Sequence, residues 1–115
     1  MELTKRKAMR KQISIGPVLE RFKEEVKKIT GANLKKIVLF GSQARDEATK
    51  FSDIDLVLIF QKNPSDKTKN RIRDVSNSLS LQYDTVITEF FFTQLEFQRY
   101  ETPFLLNVKK EGISI

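Results

Sequence analysis

The 115-residue chain contains no cysteine and no histidine. Without cysteine there is no disulfide and no thiolate metal site. Without histidine there is no imidazole zinc ligand, no Ser-His-Asp triad and no histidine general base. Tryptophan is absent too, and nine phenylalanines against two tyrosines point to a Phe-rich core. No apolar run approaches the ~20 residues that a membrane helix needs. The basic start, with Lys5, Arg6, Lys7, Arg10 and Lys11, is followed by no apolar stretch of the kind a secretory signal carries. These absences lead us to expect a cytoplasmic protein with no membrane contact. Its chemistry must run on carboxylates, hydroxyls, lysines and metal bound through oxygen.

What is present fits one folded domain. Hydrophobic residues make up 39% and charged residues 31%, a balance that favours a globular chain over a disordered one. The net charge of +6 suits contact with polyanions: nucleic acid, a nucleoside triphosphate or an acidic partner. Five of the basic residues sit in the first twelve positions. We divide the chain into a basic N-terminal segment, 1–14, and a folded domain, 15–115. The segment lacks the interleaved aromatics of a nucleic-acid-binding arm, so a solvated terminus is favoured over an RNA-touching one.

Apolar spacing then orders the elements. Val18, Phe22, Val26 and Ile29 recur at helical intervals from Pro17, which suits a first turn. Gly31 and Asn33 close that helix. Leu34 to Phe40 and Ile54 to Phe60 are short, β-branched, apolar runs and read as buried strands. Between them Ser42 can cap a short helix through Gln43, Ala44 and Arg45. A helix over 67–80, capped by Ser65 or Asp66, presents Ile72, Val75 and Leu79 on one face. Tyr83 to Phe92 reads as a third strand, followed by helical segments at 93–99 and 102–110 and a short edge strand within 112–115. The fold class is therefore α/β or α+β, a small mixed sheet with helices packed on it. In the Phe90-Phe91-Phe92 run one side needs a covering helix or a partner. Core is favoured, with an oligomer surface as the rival.

Three features coincide at the strand ends. Gly41-Ser42 closes the first buried strand, Asp53-Ile54-Asp55 opens the second, and Asp84 opens the third. Residues i and i+2 of a strand share a face, with Cα atoms about 6.5 Å apart. The carboxylates of Asp53 and Asp55 therefore project together. At about 6 Å they repel by about 3 kcal/mol at an effective dielectric of about 20. A hard divalent cation removes that penalty, and an all-oxygen site favours magnesium or manganese. Asp84 adds a third carboxylate if its strand lies alongside, enough for two ions to be shared. A glycine turn entering a helix lets backbone N–H groups approach phosphate closely.

The run Leu39-Phe40-Gly41-Ser42-Gln43-Ala44-Arg45, then Phe51-Ser52-Asp53-Ile54-Asp55-Leu56, resembles the signature of the polymerase-β-type nucleotidyltransferase superfamily. The short chain resembles its smallest branch, the minimal nucleotidyltransferases. The resemblance implies that Gly41 and Ser42 hold the β- and γ-phosphates of an NTP, ATP above all. It implies that Asp53 and Asp55 ligate two Mg2+ ions, that Arg45 fixes the motif or the triphosphate, and that Asp84 is the third acid, with Glu89 a weaker candidate. It also implies transfer of AMP to an acceptor hydroxyl, and a helical HEPN-type partner protein encoded separately, for which such a chain acts as antitoxin. Asp84 is followed by Thr85 and Val86, where the family runs straight into aliphatics; an Asp84 turned away would leave a weak or inactive enzyme. Two alternatives stay open: a non-catalytic antitoxin module, and one subunit of a small-molecule (aminoglycoside-type) nucleotidyltransferase.

Overall fold

A computed structural model describes residues 2–41, 44 and 53–115, with the backbone alone for 2–14. Among the described residues the chain forms α1 (Glu2–Thr30), a 3-10 turn (Gly31–Asn33), β1 (Leu34–Phe40), β2 (Ile54–Phe60), α2 (Asp66–Gln82), β3 (Ile87–Thr93), α3 (Gln94–Arg99), α4 (Pro103–Glu111) and β4 (Ile113–Ser114). The sheet order is β3-β2-β1-β4. Strand β1 runs antiparallel to β2 and β4, and β3 runs parallel to β2. This is the expected mixed sheet. The parallel step requires a crossover, and α2 provides it.

Each face of the sheet is apolar. On one face Ile37, Leu39, Ile54, Leu56, Leu58, Phe60 and Ile87 pack against Val18, Phe22 and Val26 of α1 and Ile72 and Leu79 of α2. On the other, Val38, Val57 and Ile59 meet Val108 of α4, with Phe40, Phe90, Phe92, Phe97 and Phe104 half-buried around them. Strand β2 is thus covered on both sides, which explains its apolar run from Leu56 to Phe60. The Phe triplet divides as alternation requires. Phe90 and Phe92 go to the α4 side, while Phe91 stacks on Phe60 at 6.2 Å on the other.

Local chemistry fixes the ends. The Asn33 side chain donates to the Lys62 carbonyl (3.0 Å) and accepts from its N–H (2.9 Å), clamping the start of β1 to the end of β2. Ser65 caps α2. Thr93 and Glu96 form a reciprocal capping box on α3, and Thr102 caps α4 with Pro103 in its first turn.

Two expectations are corrected. The first helix starts at Glu2, not at Pro17, which lies inside it. The preceding residues include three Lys, two Arg, Ala8, Met9 and Gln12, good helix formers, but they carry no apolar stripe to announce a helix. The third strand starts at Ile87, not Tyr83. Tyr83 ends α2 as its C-cap, and Asp84 adopts a left-handed backbone, φ 50°, which a strand cannot contain. The short helix expected after Gly41 lies outside the described residues, as do Ser42 and Arg45.

Candidate functional site

The site assembles where β1 ends and β2 begins. Because the two strands are antiparallel, Phe40 pairs with Asp55, and the chain leaves β1 through Gly41 at the same rim. Gly41 has φ +77°, the left-handed region where glycine alone is unstrained. A Cβ there would stand 2.7 Å from Oδ2 of Asp55. Glycine is thus favoured by the backbone angle, and any larger residue would also displace the Asp55 carboxylate lying against it. The glycine turn and the carboxylates expected to act together are brought together.

Asp55 lies on the side of β2 that carries Val57 and Ile59, while Ile54 enters the opposite core, and Asp53 stands one residue before the strand, near enough for its charge to act on Asp55. Asp53 is exposed and Asp55 half-buried. Burial pushes the Asp55 carboxyl above its ordinary value of 3.8, and the Asp53 carboxylate pushes it the same way. Two like charges, one of them partly stripped of water, concentrate negative potential among the described residues of the rim. Hard oxygens of this kind suit a divalent cation, which would relieve both causes at once. The pair therefore fits a metal on its own chemistry.

The remaining candidates fall differently. Asp84 stands exposed in the turn ahead of β3. Among the described residues no three acids gather into a metal-holding group. Glu89 points to the α2 face, opposite Asp55, with Oε1 3.8 Å from Nε of Arg73. Its register partner is Leu56, so it takes no part in the site. Thr88, which the sequence did not single out, is the residue paired with Asp55 on β3. Only the register between parallel strands reveals it. Ala44 packs against the α1 side of the core, while Ser42 and Arg45 lie outside the described residues.

The glycine turn and the carboxylates thus lie at one rim of the mixed sheet, where the motif places them. The chain belongs to the nucleotidyltransferase domain family, whose profile matches residues 19–113. Two proteins of Methanocaldococcus jannaschii, both classed as protein adenylyltransferases, are similar to it. One is 26% identical over 98 residues, covering 85% of this chain and 95% of that protein. The other is 30% identical over 95 residues, covering 82% and 90%. Among solved structures, a nucleotidyltransferase fold from Sulfolobus solfataricus superposes with a TM-score of 0.59 at 20% identity, over 94% of this chain and 85% of that one. A toxin-antitoxin structure with AMP-PNP gives 0.59 at 17%, over 83% and 70%. A chain from the complex of the tri-AMPylated HEPN toxin and MNT antitoxin of Shewanella oneidensis gives 0.52 at 14%, over 90% and 70%. At these identities the structural likeness establishes the fold alone. Among the described residues, no helix is long and apolar enough to cross a membrane.

Proposed function

We propose that this nucleotidyltransferase moves AMP from ATP onto a hydroxyl of a partner protein, and that the partner is a HEPN-type toxin which the chain restrains as antitoxin. The observation that carries the proposal is the Asp53–Asp55 pair held against Gly41. A triphosphate needs a cation and a close backbone approach at one place, and this rim offers both.

In the proposed reaction Gly41 and Ser42 hold the β- and γ-phosphates, with Arg45 fixing the turn or the triphosphate. Asp53 and Asp55 hold the divalent ions, Mg2+ or Mn2+. When bound, such ions neutralise the triphosphate and the charge that develops in an in-line displacement. Asp53 and Asp55 would contribute by holding those ions at the strand end. The acceptor hydroxyl gives up its proton to one of the site's carboxylates as its oxygen bonds to the α-phosphorus. The bond from that phosphorus to the bridging oxygen breaks, and pyrophosphate leaves.

The relatives support ATP as donor and a protein as acceptor: two of them are classed as protein adenylyltransferases. One fold neighbour is a toxin-antitoxin with AMP-PNP, and another accompanies an AMPylated HEPN toxin.

The test is incubation with α-labelled ATP, Mg2+ and a HEPN protein encoded beside the chain. Label should pass to that protein and pyrophosphate should accumulate. Tight complex formation with no transfer would favour the non-catalytic antitoxin, and transfer to an aminoglycoside would favour the small-molecule enzyme.

A further inference from the structure

Strand β3 runs beside β2 with a fixed register: Ile54 opposite Ile87, Asp55 opposite Thr88, Leu56 opposite Glu89. Paired residues of parallel strands share a face, so Thr88 shares the face of Asp55, and Glu89 shares the face of Leu56. The burial pattern agrees. Val57, Ile59, Phe90 and Phe92 lie on one side of the sheet, while Ile54, Leu56, Ile87 and Phe91 lie on the other. One residue before β3, Val86 accepts the Ile54 N–H at 2.7 Å and is 54% exposed. The groups that β3 and its approach offer at the rim are therefore a valine and a threonine. Neither is an acid.

Asp84 is held elsewhere. Thr85 N–H donates to the Ser80 carbonyl at 3.0 Å, and Ile87 N–H donates to the Ser80 hydroxyl at 3.1 Å. Ser80 thus ties both sides of the turn back to α2. Thr88 stands four residues beyond Asp84, up to about 13 Å along an extended chain. No acid triad forms among the described residues. Register and tethering agree.

Resting on the function proposed above, we infer that the third protein group at this cation site is the Thr88 hydroxyl, and that Asp84 takes no part in it. Among the described residues the site is a two-carboxylate centre in which a neutral oxygen occupies the third place. Thr88 is then the position that sets cation affinity, and a carboxylate placed there completes the triad.

The experiment titrates Mn2+ alone into the full chain by calorimetry, without nucleotide, and follows thermal unfolding with and without Mn2+. Asp84→Asn should bind Mn2+ within about twofold of wild type. Thr88→Asp should bind about tenfold tighter, the size of effect expected when a ligand is added to an oxygen site. It should also melt lower without cation and recover with it, because a third like charge is then relieved. Thr88→Val, which keeps volume and removes the oxygen, should bind more weakly, and it decides the matter if Thr88→Asp does not fold. An Asp84→Asn variant that loses Mn2+ as Asp55→Asn does, or Thr88 variants that bind as wild type does, would overturn the inference. Binding that survives Asp53→Asn and Asp55→Asn would instead overturn the proposed function.

Discussion

Gly41 and Asp55 define the site at the scale of single residues, and each makes a prediction. Gly41→Ala must hold a left-handed backbone angle and push a methyl against Oδ2 of Asp55. The cost should be about 1–3 kcal/mol, read as a lower urea midpoint with unchanged slope, together with loss of Mn2+ binding. Asp55 behaves in the opposite sense. Its carboxyl is raised from 3.8 by burial and by Asp53, so the ionised form opposes folding. That penalty is absent below pH 3.8 and grows as pH rises through the raised value. Asp55→Asn should therefore melt higher than wild type at pH 7 in chelator, by a degree or more, and match it near pH 3. A difference that persisted unchanged at pH 3 would point to packing in place of charge.

Strands and helices place those residues, and the joint between α2 and β3 is the one most open to test. Ser80 accepts from Ile87 N–H and donates to the Ser76 carbonyl at 2.6 Å. Ser80→Ala leaves the Ile87 N–H, at the start of β3, without its partner. The expected cost is about 1–2 kcal/mol, with faster hydrogen exchange at Ile87 than at the β2 amides. How the sequence conveyed this region is instructive. Leu34–Phe40 and Ile54–Phe60 were legible because each is a bounded apolar run with a buried use on both faces. The Asp53–Asp55 pair was legible because alternation is a property of the strand itself. Tyr83–Val86 misled because Val and Thr favour a strand, while the helix end, the Ser80 tethers and the positive φ of Asp84 are tertiary outcomes. Thr88 was invisible for the same reason, since register belongs to two strands at once. The start of α1 was missed because a polar helix has no apolar period to read.

For the molecule as a whole, the two faces of the sheet carry different duties. One face is closed by α1 and α2, and the other by α4 and a cluster of phenylalanines, with Phe104 5.0 Å from Phe90 and 5.2 Å from Phe40. The carboxylates emerge beside that second core, at the rim where Phe40 pairs with Asp55. Phe104 is half-buried, so Phe104→Ala should cost about 1–3 kcal/mol, less than the removal of a fully buried ring. It should also loosen the floor beneath Asp55, seen as weaker Mn2+ binding along with a lower melting temperature. The most direct measurement of the central claim is calorimetric titration of ATP with Mg2+ into wild type and into Asp53→Ala/Asp55→Ala. The account predicts that wild type binds nucleotide only with the cation and that the double variant, still folded, loses that cation-dependent binding. Equal binding by both proteins would contradict it.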